Sequence, residues 1–529
     1  MPTLPTRRRD SLLIVLALIG VTVYALTAQS MGSLGFPLDD SWIHQTYGRN
    51  LALTGQWAYV PGVPSAGSTS PFYTVLLAIG YALRVPFLLW TYGLGALVLA
   101  GAGLIGARLA EQLFPAVRNG GLWTGLALVM AWHLIWAAAS GMETMLFSAL
   151  TLLLIYLAWQ GLPHPPAPSP LRREGEQPGR ASPLHSGGEG PGVRHGEVKR
   201  GFLFGIIGAI LVATRPEGVL LVGLLGLLML IAHLSRAFWL WCAGAFVGGA
   251  LGITPYLLLN LTLNGTILPN TFSAKQAENA ALLAQPFVVN LWAMLQPLTA
   301  GGQLLLVPGA IYGLIMLVRR VRQDRRAVLY LGPLLWAAAL ILLYTLRLPA
   351  YYQHGRYVIP ALAPFISVGV GGTLLLAAKR RRPLSRVLTR SLMIVALAVF
   401  AIFWVMGASI FGRDVQMIQS EMVAASRWLA EHVPPDQLLA VHDIGAVGYF
   451  APRPMLDLAG LVSPEVIPII RDADALMALM KARGVRYLMV LPSQRPALPD
   501  DPRLCERFNA NGSMGGMVIY QMAWDGHCS

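Results

Sequence analysis

The polar run Phe36-Pro37-Leu38-Asp39-Asp40-Ser41-Trp42-Ile43-His44-Gln45-Thr46-Tyr47-Gly48-Arg49-Asn50 follows the first long apolar segment of the chain. A carboxylate near an imidazole is the kind of grouping that takes a proton from a hydroxyl. Pro37 and the two aspartates predict a helix start, with Asp39 or Asp40 accepting from the free amides of the first turn. On that helix Asp40, His44 and Tyr47 share one face, at i, i+4 and i+7. Successive helical residues point about 100° apart, so the two aspartates cannot aim at one atom. One can cap the helix while the other faces a cavity. The same residues also fit a plain capped surface helix.

Other chemistry-bearing residues sit at the edges of apolar runs. Glu143 follows Ser140-Gly141, and Arg215-Pro216-Glu217 forms a tight turn between two runs. Leu268-Pro269-Asn270-Thr271-Phe272-Ser273-Ala274-Lys275 opens one polar loop, and His354-Gly355-Arg356-Tyr357 lies in another. A guanidinium fork matches two phosphate oxygens, which makes Arg356 the best anion ligand. Lys275 offers a point charge. Each has a structural alternative. Glu143 suits a helix N-terminus, Arg215 and Glu217 suit an ion pair, Lys275 a solvated surface, and Arg356-Tyr357 an interfacial anchor. The chain has no HExxH, no CxxC pair and no Ser-His-Asp order, so zinc hydrolysis and triad chemistry lack support.

The elements that must hold these residues are membrane helices. Of the 529 residues 55% are hydrophobic and 12% charged, about half the charge of a soluble domain. The net charge of +14 is not a nucleic-acid signature, because no basic stripe is interleaved with aromatics. From Gly412 onward ten Lys/Arg face thirteen Asp/Glu, a net of −3, leaving +17 for the rest. Much of that excess lies in clusters at 7–9, 319–326 and 379–382. Such clusters mark cytoplasmic ends.

The segment 11–29 reads as an uncleaved signal-anchor that leaves the aspartates outside. Further apolar segments lie near 71–83, 85–107, 121–139, 142–159, 201–214, 216–231, 237–262, 301–318, 327–346, 357–378 and 391–411. Charge parity requires one to fail to cross, and 71–83 is the best choice, as a re-entrant or interfacial helix over the site. About eleven spans remain. That arrangement places Glu143, Arg215 and Glu217 outside with the aspartates. Making 201–231 a single pass is the alternative, and it buries Arg215 and Glu217 at mid-membrane. Residues 161–199 are rich in Pro and Gly and read as a disordered cytoplasmic insert. Beyond 412, a helix over Met417–His432, apolar strands at 438–441 and 487–491 and a helix over Asp472–Arg483 predict a small α/β domain. His442-Asp443 ends the first strand, where polar residues commonly face a cleft. Cys505 and Cys528 can pair or remain free thiols, and Cys242 lies in a span as packing.

Several short patterns together resemble the GT-C glycosyltransferases, multi-spanning enzymes that take a sugar from a polyprenyl phosphate carrier. They are Asp39-Asp40 after the first span, Asn50-Leu51-Ala52, Pro61-Gly62, Ser70-Pro71-Phe72, Gly141-Met142-Glu143-Thr144, Arg215-Pro216-Glu217-Gly218 and Arg356-Tyr357 before Pro360. Protein O-mannosyltransferases, lipid A aminoarabinose transferases and mycobacterial arabinofuranosyltransferases belong to that group. The resemblance implies an α-helical multi-spanning domain over 1–411, with its external catalytic loop at 30–84, and an extracytoplasmic α/β domain over 412–529. It implies an inverting hexosyl or pentosyl transfer on the outer face of the cell membrane, to a glycan, lipid or protein acceptor. A loop aspartate would be the general base. The shared face with His44 and Tyr47 favours Asp40, whereas likeness to the family favours Asp39, by a small margin. Substrate contacts would come from His44, Tyr47, Glu143, Arg215, Glu217, Lys275, His354, Arg356 and Tyr357. A divalent cation, Mg or Mn, would fall to Asp39, Asp40 or Glu143 if one takes part. A lipid-linked glycan flippase, polymerase or ligase is the competing expectation. The segments 237–262, 327–346, 357–378 and 391–411 carry no Asp, Glu, Lys or Arg between their ends, which speaks against a transporter.

Overall fold

Long apolar runs bounded by Pro, Gly and Arg dictate helices, because only a helix satisfies every backbone group within one segment in lipid. The computed structural model describes residues 5–160, 191–232, 234–267, 270–378, 383–492, 501–512 and 515–528. Among them seven helical segments are long and apolar enough to cross a bilayer: Thr6–Ser30, Phe87–Leu113, Arg236–Leu263, Gly302–Gln323, Arg325–Arg347, Tyr352–Ala378 and Arg390–His432. Gly120–Met130 and Trp132–Ala139 make an eighth if counted together, bent by 55° where Ala131 is extended. A helix stands at each of the eleven expected spans. Thr144–Gln160 and Gly218–Ala232, with 17 and 15 residues, are at or below the short end of what a bilayer needs. The protein is therefore a helical membrane protein; among the described residues seven of its helices, or eight with the bent pair, have full spanning length.

Pro71–Ala82 is a helix of 12 residues, too short to span. It lies along the helix Asp40–Thr54, with Tyr73 edge-on to His44. The apolar helix Phe287–Thr299 was not foreseen. Of the expected insert, 161–190 lies outside the described residues, but a helix begins at Pro191, so its last nine positions are helical. Leu268 and Pro269 also lie outside the described residues.

The helix Phe87–Leu113 gives the bundle its two ends. At one end Phe87 packs on Phe36, Trp42 and Tyr449. At the other Glu111 pairs with Arg9, and Arg108 with Asp10. Arg320 reaches the carbonyl of Leu113 there too. At 1.5 Å per residue these ends are about 40 Å apart.

The long helix Pro383–Ile418 passes without a break through position 411, where the sequence suggested a boundary. A π-turn over Gln419–Val423 and the helix Ala424–His432 follow. Beyond it lies a five-stranded sheet, in spatial order Met455–Asp457, Leu439–Val441, Tyr487–Val490, Val518–Met522, Leu504–Asn509. The first three strands are parallel, with Ala440 opposite both Leu456 and Leu488. Helices Gly445–Phe450 and Ala473–Ala482 supply crossovers between them. The last two strands run antiparallel, and Cys505 is joined to Cys528.

One apolar core binds this sheet to the loop after the first helix. Phe36, Trp42, Tyr47 and Tyr59 pack in it with Leu439, Val441, Ala446, Val447, Met489 and Ile519. The loop residues are therefore fixed from the C-terminal side of the chain.

Candidate active site

The helix Asp40–Thr54 starts at the junction of bundle and sheet, and its first two acids diverge. Asp39 does not cap its own helix. Its two oxygens instead accept from the amides of Gly445 (2.6 Å) and Ala446 (2.8 Å). Gly445 is required there, since a Cβ would run into Asp39. Burial and the neighbouring Asp443 raise the Asp39 carboxyl to about 7, against the two amides. Around this tie, Tyr59 donates to the Ile444 carbonyl, and Arg49 donates to the carbonyls of Tyr449 (2.7 Å) and Gly448 (3.2 Å).

Asp40, one residue on, faces a cavity of about 440 Å3. Its Oδ2 accepts from Arg356 Nη2 at 2.5 Å. Burial alone would raise its pKa, but Arg356, Lys275 and His44 outweigh it and hold the carboxyl well below the usual range. Arg356 Nη2 also donates to Tyr357 Oη (3.1 Å). Its Nη1 is buried and has no hydrogen-bond partner among the described residues.

His44, one turn beyond Asp40, puts Nε2 3.2 Å from Glu143 Oε2. Glu143 is presented by a turn whose Gly141 has φ +74° and packs against Phe36, so a side chain there would be both strained and blocked. The Ser41 hydroxyl fastens that turn by donating to the Ser140 carbonyl (2.7 Å). Burial opposes ionisation of Glu143, yet His44, Arg215 and Arg356 hold it at about 2. The Arg215-Pro216-Glu217 turn closes the group. Arg215 Nε donates to Glu217 Oε1 (2.6 Å), Arg215 Nη2 to Tyr344 Oη (2.7 Å), and Tyr344 Oη to Glu217 Oε1 (2.5 Å). Arg215 Nη1 lies 3.7 Å from Glu143 Oε1.

Lys275 lines the same cavity and pairs with Glu278 (3.4 Å). Glu278 in turn lies 3.4 Å from His442 Nε2, and His442 Nδ1 lies 3.3 Å from Asp443. Burial disfavours the charged imidazole, but the two acids raise His442 to about 10. A chain of alternating charge thus links the cavity to the sheet and, through Asp443, to Asp39.

The structure therefore brings Asp40, His44, Glu143, Arg215, Glu217, Lys275, Arg356 and Tyr357 to one cavity. Three expected residues do not line it. Asp39 holds the 445–446 amides. Tyr47 binds the Ser65 hydroxyl and accepts from the Gly67 amide (2.9 Å), holding the loop that reaches the cavity. His354 bonds Asp414 instead (2.8 Å). Sequence reasoning missed Tyr344, Arg347, Glu278 and Asp414. Glu278 had a signal, its i+3 spacing from Lys275. Tyr344 had none within its apolar run.

Three acids and four cations surround the cavity: Asp40, Glu143 and Glu217 against Arg215, Lys275, Arg347 and Arg356. Apolar side chains line it as well, among them Val219, Leu220, Leu343 and Leu348. The carboxylates face cations rather than each other. Among the described residues no three His, Cys, Asp or Glu groups converge on a point that would hold a metal, so the residues present do not form a ready site for a divalent cation.

ArnT from Cupriavidus metallidurans, in its structure with undecaprenyl phosphate, superposes with a TM-score of 0.59 at 15% identity, covering 97% of this chain and 98% of that one. The apo Archaeoglobus fulgidus oligosaccharyltransferase gives 0.60 at 12% identity over 91% of this chain and 69% of that one. The chain has the GT-C fold. The same archaeal enzyme is known in complex with Zn and sulfate, at a TM-score of 0.59, 12% identity and 97% and 73% coverage. No curated protein matches by sequence. A family described as a domain of unknown function (DUF8728) matches residues 412–524, which in this chain are the end of the long helix together with the sheet.

Proposed function

We propose that the chain is a glycosyltransferase that moves a sugar from a polyprenyl-phosphate carrier to an acceptor hydroxyl, with Asp40 as general base. The observation that carries this is the Asp40–Arg356 pair in a cavity lined by both cationic and apolar side chains. The apolar lining suits a lipid tail. The unpartnered Arg356 Nη1, with Lys275 and Arg347, suits its phosphate. The GT-C fold and the polyprenyl phosphates bound by ArnT and by the archaeal enzyme support the same donor class.

In the proposed step the acceptor oxygen attacks the anomeric carbon and its proton passes to Asp40. The bond from that carbon to the phosphate oxygen breaks, and the electron pair leaves with the lipid phosphate. A single displacement inverts the anomeric centre. Arg356 and Lys275 depress the basicity of Asp40. A phosphate that shares those cations would restore it, which ties proton removal to donor binding. Glu143, Glu217, Arg215, His44, Tyr344 and Tyr357 are then the polar groups left to hold the sugar.

The basic residues at the far end of the bundle support a cytoplasmic N-terminus and a site at the outer face of the cell membrane. The Cys505–Cys528 bond supports an oxidising compartment for the domain over 412–529. The deciding experiment presents purified protein in detergent or vesicles with a labelled undecaprenyl-phosphate sugar and an envelope extract as acceptor. Label should leave the lipid with wild-type protein and stay on it with Asp40→Asn. Transfer by the Asp40→Asn variant at the wild-type rate would rule out the base.

A further inference from the structure

Arg356 is delivered by an unusual piece of backbone. Gln353, His354 and Gly355 have φ of +55°, +56° and +67° in succession. Glycine adopts that region freely, but Gln and His are strained there. The turn has little slack, since a Cβ on Gly355 would meet Pro297. The Gln353 Oε1 is buried without a hydrogen-bond partner among the described residues. Something outside the turn must hold it. His354 Nε2 lies 2.8 Å from Asp414 Oδ2, and Trp136 Nε1 donates to the same oxygen at 2.9 Å. The rings of Trp132 and Trp136 stand edge-on to the imidazole, at 5.5 and 5.2 Å. His354 is therefore fixed on three sides, by residues on two other helices, and none of these contacts belongs to the cavity.

We infer that His354 and Asp414 are positioning residues for Arg356: their bond locks the left-handed turn that aims the guanidinium at Asp40. The inference rests on the proposed function for its catalytic meaning, but its geometric content is separate. Two residues on, the arginine reaches Asp40 through a single 2.5 Å contact with nothing on Nη1. A turn released from Asp414 relaxes toward right-handed φ and carries Arg356 away. A displacement of about 1 Å at such a group costs on the order of 10²-fold in rate.

The test reads the Asp40–Arg356 pair directly. Melting temperatures of Asp40→Asn, Arg356→Gln and the double variant give their coupling, first in the wild-type background and then with His354→Ala. The coupling should be present in the first and vanish in the second. His354→Gln, whose side-chain amide can still reach Asp414, should keep it. If the alanine variant does not fold, His354→Asn, which falls short of Asp414, replaces it. Coupling that survives both His354→Ala and His354→Asn overturns the inference. Turnover supplies the catalytic readout. His354→Ala should cut kcat/KM for the lipid donor about 10²-fold, His354→Gln far less, and His354→Ala should add nothing to Arg356→Gln. Losses that multiply instead would assign His354 a separate role and overturn the inference. Failure of the proposed function looks different: no transfer by wild-type protein, with the Asp40–Arg356 coupling still dependent on His354.

Discussion

Asp39 and Asp40 are adjacent in sequence and opposite in circumstance. Asp39 gives both oxygens to backbone amides about 400 positions downstream and faces the sheet. Asp40 meets a guanidinium and faces a cavity lined in part by apolar side chains. Burial raises the first carboxyl to about 7, whereas Arg356, Lys275 and His44 keep the second, a partly exposed side chain, ionised. The lesson is that a buried acid takes its character from what faces it. Amides fix its position, and cations fix its charge. A junction and a cavity wall can therefore share one peptide bond.

The contrast can be broken most sharply at Asp40. Asp40→Asn should lower kcat by about 10²- to 10⁴-fold, measured as transfer from a labelled lipid donor, in a protein that still folds and whose melting temperature drops only through loss of the Arg356 pair. An equal loss from Asp39→Asn, in a protein that melts like the wild type, would erase the distinction. Arg356→Lys keeps the charge but loses the fork. It should cost roughly 10- to 100-fold in kcat/KM.

Asp39→Asn should act on stability, by roughly 1–3 kcal/mol, because an amide nitrogen would face one of the two N–H donors. It should also alter pH dependence. The folded state keeps the Asp39 proton up to about pH 7, while the unfolded carboxyl loses it near 3.8. Wild-type stability therefore falls as pH rises between those values. The asparagine variant should fall less across the same window, as followed by thermal melts from pH 4 to 8. The smallest effect belongs to the charge chain. His442 is raised from 6.5 to about 10, so its contribution is full below 6.5 and is lost as pH rises through 10. His442→Gln should be less stable than wild type at pH 6 and approach it at pH 10.

Membrane helices were legible because apolar runs of sufficient length have few other uses. The cavity group was legible where charged residues stood at the ends of those runs, as Asp40, Glu143, Arg215 and Arg356 do. The tie of Asp39 to the 445–446 amides was not legible, because backbone amides leave no trace in residue types. His354 was placed with substrate for the same kind of reason. Its partner Asp414 sits inside a helix, where a lone acid reads as surface. Tyr344 carried no signal within an apolar run. The strands Leu504–Asn509 and Val518–Met522 escaped because the first alternates weakly, with Glu506 and Arg507 exposed at the sheet edge.

The unbroken helix Pro383–Ile418 has a practical consequence. It carries Asp414, which grips the turn before Arg356, and it runs on toward the segment whose amides hold Asp39. Sliding or tilting this rod would disturb both acids' neighbourhoods together. Chimeras spliced at residue 411 would cut the shaft itself. Grafts meant to exchange the terminal module should instead carry the rod intact and be joined in the segment that precedes it.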